Sequence, residues 1–125
     1  MSIYSERFLD HFKNPRNVGE LPPPAVTVEV SNPVCGDILR LGAEFDEGVV
    51  KRVAFKVRGC TAAIAAGSAL TEWMVGKNRA ELGAITPAAV DDAVGGLIAE
   101  SKHAAALCVD AVREMLKHAP ASKRD

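Results

Sequence analysis

Polar and apolar residues alternate through the first half of the chain and recur at helical spacing through the second. Val26, Val28 and Val30 are separated by Thr27 and Glu29, the period of two that a half-buried strand requires. A second apolar stretch runs from Ile38 to Phe45, Asp46-Glu47-Gly48 supplies a hairpin signal, and Val49 to Val57 predicts the return strand. On that strand Val53, Phe55 and Val57 share one face, and Arg52, Lys56 and Arg58 share the other. Ahead of the strands, Ile3, Phe8, Leu9 and Phe12 fall near helical spacing and predict a short amphipathic helix over residues 3–13, capped by Ser2 or Ser5 and ended before Pro15. From Thr61 onward alanine dominates, predicting a helix with Thr61 as N-cap that runs through Glu72-Trp73-Met74 and stops at Gly76. Thr86-Pro87 opens a further helix that Gly95-Gly96 weakens or ends, and the last helix spans about Ser101 to Lys117, leaving residues 120–125 as a disordered tail. Strands first and helices afterwards describe an α+β domain: a small three-stranded antiparallel sheet, an N-terminal helix, and several C-terminal helices packed on one side.

Length and composition bound this picture. With 125 residues, 48% hydrophobic and 25% charged, the chain forms one domain with a real core and has no room for a second. A net charge of −1 and dispersed basic residues speak against a nucleic-acid partner. The N-terminus lacks a basic region followed by an apolar run, and no stretch approaches a membrane span, so the expectation is a soluble, cytoplasmic protein. Three cysteines, at 35, 60 and 108, are odd in number and widely spaced, which fits reduced thiols better than a disulfide framework.

The candidate chemistry begins at Cys35-Gly36-Asp37. If this segment is extended, the thiol and the carboxylate point to the same side, a pairing of soft and hard donors. The alternative is a turn entering the second strand, with Cys35 a small buried hydrophobe. Cys60 follows Gly59 at a predicted helix start, where backbone N–H groups and the helix dipole are expected to lower its pKa. Cys35 opens the second strand and Cys60 closes the third, so antiparallel pairing folds one towards the other.

These segments resemble the NifU-like or IscU-like iron–sulfur cluster assembly scaffolds over nearly the whole chain. Tyr4-Ser5 with Asp10-His11-Phe12-Lys13-Asn14-Pro15-Arg16-Asn17-Val18-Gly19 is similar to the family's N-terminal signature. Asn32-Pro33-Val34-Cys35-Gly36-Asp37 and Phe55-Lys56-Val57-Arg58-Gly59-Cys60-Thr61-Ala62-Ala63-Ile64-Ala65 are similar to the segments that supply its first two cysteines and its aspartate, and Gly76-Lys77 matches the end of the helix that follows. The resemblance implies a non-enzymatic scaffold on which iron and sulfide, the latter from a cysteine desulfurase, form a transient [2Fe-2S] cluster for transfer to apo iron–sulfur acceptor proteins. Cys35, Asp37 and Cys60 carry over as ligand positions, and zinc is the alternative occupant.

The third ligand region of the family reads His-Cys, whereas here it reads His103-Ala104, with Leu107, Asp110, Ala111 and Val112 holding the register. The implied donor set is then Cys35, Asp37, Cys60 and His103. Cys108 is the secondary candidate, placed one helical turn beyond Ala104 on an apolar stripe with Ala111 and Met115, where a buried core thiol is expected. His11 is assigned to packing or docking, and His118 to a helix end. Leu97-Ile98-Ala99-Glu100-Ser101 lacks the prolines that a dedicated Hsp70-type chaperone recognises in the IscU branch, which speaks against release by that route. The Arg52, Lys56 and Arg58 face is either a solvated strand face or a docking face for an acidic partner such as the desulfurase. The competing functions are a zinc-dependent sulfur acceptor of the SufU type, a sulfurtransferase whose extra insertion after Cys60 is missing here, and a degenerate member that only binds metal.

Overall fold

The computed structural model describes residues 5–32, 36–97 and 102–118. Helix α1 (Glu6–Lys13) leads into three strands, β1 (Val26–Ser31), β2 (Ile38–Asp46) and β3 (Val49–Arg58). Four helices follow: α2 (Thr61–Met74), α3 (Arg79–Gly83), α4 (Pro87–Ala93) and α5 (His103–His118). The sheet is an antiparallel meander in the order β1-β2-β3. Helix α2 packs on β3 and α5 on β1 and β2, so the expected α+β arrangement is observed. No helix among the described residues is long and apolar enough to cross a membrane.

The alternation read from the sequence becomes burial. Val28, Leu39, Leu41, Val53 and Phe55 point into the core, while Thr27, Glu29, Arg40 and Lys56 face outward. One irregularity is new: Glu44 pairs with Arg52 but Phe45 pairs with Val50, so Lys51 is bulged. The extra residue shifts the phase and turns Val50 inward along with Val53. The free edge of β3 is covered at one end by the 17–19 segment, where Gly19 N–H donates to Phe55 and Phe55 N–H to Asn17, and at the other by Gly76 and Lys77 against Val50.

The helices begin and end where local chemistry requires, with three corrections. Helix α1 starts at Glu6 because the Ser5 side chain accepts from Phe8 N–H, and Ile3 lies outside the described residues. Its inner face is Phe8 and His11, and Phe12, expected inside, is 37% exposed. The N-cap of α2 is Cys60, not Thr61, which is already helical. Helix α3 is an addition to the expected elements, although Asn78 and Glu81 make a reciprocal capping box that the sequence displays. Helix α4 follows expectation, with Thr86 capping Ala89 N–H and Pro87 at the start, and α5 runs from His103, Ser101 lying outside the described residues. The expected tail at 120–125 also lies outside them.

A buried polar network docks α1 on α2. Ser68 Oγ accepts from Arg16 N–H at 2.9 Å and lies 2.8 Å from His11 Nδ1. Thr71 Oγ1 donates to the Ser68 carbonyl at 2.8 Å and accepts from Asn17 Nδ2 at 3.1 Å. The Arg16 guanidinium, always a donor, faces His11 Nδ1 at 3.4 Å, which assigns the His11 proton to Nε2, 3.5 Å from Glu72 Oε1. Burial, then the nearby Arg16 charge, holds His11 below the ordinary 6.5, with Glu72 and Asp10 opposing. Because the folded pKa is depressed, the stability that neutral His11 supplies is complete above the unfolded value and is lost as pH falls through the folded one. Urea midpoints measured between about pH 7.5 and about pH 5 should therefore fall more steeply for the native chain than for His11→Gln. Parallel pH profiles would remove His11 as the cause.

Candidate metal centre

The register of the hairpin builds the site. Ile38 pairs with Arg58, so Asp37, immediately before β2, lies opposite Gly59, immediately after β3. The two residues pack without a gap: a Cβ on Gly59 would fall 2.5 Å from Asp37 Oδ1 and 2.6 Å from its Cγ. Only glycine leaves room for the carboxylate there. The approach to Asp37 is a turn, with Gly36 at φ +76°, Gly36 N–H donating to Asn32 O at 2.7 Å and Asn32 N–H to Asp37 O at 2.9 Å. Of the two readings of Cys35-Gly36-Asp37, the extended one fails at Gly36, since a left-handed φ is glycine's province. Cys35 itself lies outside the described residues.

Beyond Gly59 the chain enters α2, and Cys60, at its N-cap, places its sulfur 3.4 Å from Asp37 Oδ2. His103, the first residue of α5, brings Nε2 to 3.3 Å from the same carboxylate oxygen and 3.6 Å from Cys60 Sγ. Three donor types therefore meet at one point, from the end of the β2 approach, the start of α2 and the start of α5. Asp37 is 5% exposed, His103 is half-buried and Cys60 is an exposed residue. The spacing is informative. A tetrahedral ion with bonds of about 2.0–2.3 Å has donor–donor edges of about 3.3–3.8 Å, so the three atoms fit one such ion.

The thiol's protonation differs from expectation. The N–H groups of Ala63 and Ala62 do favour the thiolate, but partial burial raises the Cys60 pKa above its ordinary value, and the hydrogen bond and charge of Asp37 add to the rise. The Cys60 thiol donates its hydrogen bond to Asp37 Oδ2, and a metal bound by both groups would displace that proton.

Cys108 is elsewhere. It is 1% exposed in the core formed with Ala104, Ala111 and Met115, and burial pushes its thiol up to about 12. Ala104 is wholly buried beside it, its small side chain part of the helix packing. Of the other histidines, His11 belongs to the α1–α2 network and His118 pairs with Glu114 at 3.1 Å at the end of α5. On the outer sheet face Arg52 pairs with Glu44, and Arg40, which sequence reading did not single out, bridges Glu20 and Glu29.

The sequence model of the NifU-like N terminal domain matches residues 3–124. The chain belongs to that family. It is 39% identical over 114 residues to the iron-sulfur cluster assembly scaffold protein IscU 1 of Archaeoglobus fulgidus, covering 91% of this chain and 74% of the relative. It is 44% identical over 86 residues to IscU of Haemophilus influenzae, covering 66% of this chain and 68% of that one. Among solved structures, the N-terminal NifU-like protein of Brucella abortus superposes with a TM-score of 0.69 at 21% identity, covering 94% of this chain and 96% of the other, a likeness of fold.

Two substitutions separate the site from the core. Gly59→Ala should displace the Asp37 carboxylate and weaken zinc binding about 10-fold or more, read by competition with a chromophoric chelator. Cys108→Ala should leave the zinc stoichiometry unchanged, and loss of metal from that variant would return Cys108 to the site.

Proposed function

We propose that this chain is a scaffold on which an iron–sulfur cluster is assembled and from which it passes to acceptor proteins. The observation that carries the reading is the convergence of Asp37, Cys60 and His103, whose donor atoms all lie within 4.8 Å of one another. Two IscU relatives that share 39% and 44% of the aligned residues are named as assembly scaffolds, which supports extending that role here. Cys35, two residues from Asp37 in the sequence, supplies the second thiolate in this proposal.

The donor set suits a cargo rather than a permanent cofactor. Thiolates bind iron strongly, and a carboxylate and an imidazole are harder, more exchangeable partners, so a site with both can hold a cluster and still release it. With Ala104 where a third thiol would stand, Asp37 becomes a necessary donor. A cysteine desulfurase is the sulfur source in this reading, and apo iron–sulfur proteins are the recipients. Lys56 and Arg58 lie four and two residues before Cys60, and although the Lys56 charge is felt by Glu20, neither forms a direct ion pair among the described residues, which fits an acidic docking surface on one of these proteins.

A second reading rests on the tetrahedral spacing. Three donors arranged around one ion also suit zinc, and a zinc-bound thiolate that accepts persulfide sulfur would make the chain a sulfurtransferase.

Anaerobic incubation with ferrous iron, cysteine and a desulfurase separates the two. The scaffold reading predicts a cluster spectrum that moves to an apo-ferredoxin, and Asp37→Ala should lower the affinity for the first metal ion about 10-fold or more. Stoichiometric zinc that stimulates the desulfurase, with no cluster formed, would replace it with the sulfur acceptor.

A further inference from the structure

A carboxylate outside the metal site lies against the residue that precedes His103. Asp91, on α4, directs its carboxylate at the approach to α5: Oδ1 accepts from Leu97 N–H at 2.5 Å and Oδ2 pairs with Lys102 Nζ at 2.6 Å. Its backbone carbonyl also accepts from Gly96 N–H at 2.8 Å. One residue therefore contacts both Leu97, four residues past the end of α4, and the residue immediately before His103.

Lys102 is the hinge of this arrangement. Its carbonyl accepts from Ala105 N–H at 3.1 Å and from Ala106 N–H at 3.5 Å, so the first turn of α5 closes on it. A start displaced by one residue would take His103 out of the helical backbone and move its ring relative to Cys60 and Asp37. The core anchors α5 from Ala104 onward, which leaves the half-buried His103 as the residue whose place at the helix start is still to be fixed.

We propose that Asp91 is a positioning residue for His103: by binding Leu97 and Lys102 with one carboxylate, it fixes where α5 begins and where the imidazole meets the other donors. The proposal rests on the reading of His103 as a metal donor. The two halves of the clamp are unequal. The Asp91–Lys102 pair is 57% exposed on the lysine side, and such pairs contribute little alone, whereas a backbone N–H donating to a half-buried carboxylate is charge-assisted. Asp91→Asn keeps an acceptor for Leu97 and should behave close to the native chain, while Asp91→Ala loses both contacts.

Two measurements on the full chain test this. Cobalt(II) titration of the metal-free protein should give about 10-fold weaker binding for Asp91→Ala, most of the affinity restored in Asp91→Asn, and no further loss when Asp91→Ala is added to His103→Ala. In the metal-free protein, the nuclear Overhauser contact between His103 Hε1 and Cys60 Hβ should weaken in Asp91→Ala. If Asp91→Ala does not fold, Lys102→Gln at its exposed position should weaken the same contact to a smaller degree. Additive losses in the double variant, or an undiminished Overhauser contact, would overturn the positioning role. Cobalt binding indifferent to His103→Ala would instead refute the metal reading of His103, and the Overhauser contact would still decide whether Asp91 places the ring.

Discussion

The pairing of Ile38 with Arg58 is the constraint from which the site follows. It sets the end of β3 against the beginning of β2, so that Asp37 and Gly59 meet where the sheet runs out and the chain must turn into α2. A slip of one residue would invert every side chain on β3, exposing Phe55 and moving Cys60 off the carboxylate, so burial of the core and assembly of the site are the same register decision. The chain from α1 to Asn17 acts on the same elements: the His11–Ser68 contact and the Asn17–Thr71 bond tie it to α2, and Phe55 N–H donating to Asn17 ties it to β3. What the fold delivers is a fixed sheet end and two helix starts around one point.

Electrostatics then decide what that point can hold. Asp37 is buried, and a buried carboxylate is costly unless something compensates its charge. Its two described neighbours in the site, a thiol and an imidazole, are themselves electron-pair donors and can satisfy it only by carrying protons or by sharing a cation. The Cys60 thiol takes the first option by donating to Asp37, and its pKa is raised by burial first and to a lesser degree by that carboxylate. Metal capture is the second, and it couples binding to proton release, so the site loads more readily as pH rises.

Much of this architecture is legible in the residue pattern, and the parts that are not have physical causes. The strands are readable because Val26, Val28 and Val30, then Val53 and Phe55, alternate cleanly with polar residues, and Thr86-Pro87 marks α4 without ambiguity. The bulge at Lys51 is not readable, since Val49 and Val50 are both apolar and either could face inward. Thr61 outranks Cys60 by capping preference, yet the tertiary fit of Gly59 under Asp37 sets where α2 begins. Helix α3 carries its signal in Asn78 and Glu81, but the segment is too short to show a hydrophobic period. The meeting of Asp37 with Cys60 follows from hairpin topology, but the arrival of His103 depends on long-range contacts, including the Asp91 clamp, that no local pattern displays.

If Asp37, Cys60 and His103 bind a single metal ion together with sulfur from the 35–37 segment, X-ray absorption at the zinc edge of the zinc-loaded protein will show it most directly. The expected spectrum is a four-coordinate shell of sulfur at about 2.3 Å and lighter donors at about 2.0–2.2 Å, with the outer-shell scattering of one imidazole that disappears in His103→Ala. A shell with no imidazole contribution, or one made of sulfur alone, would contradict it.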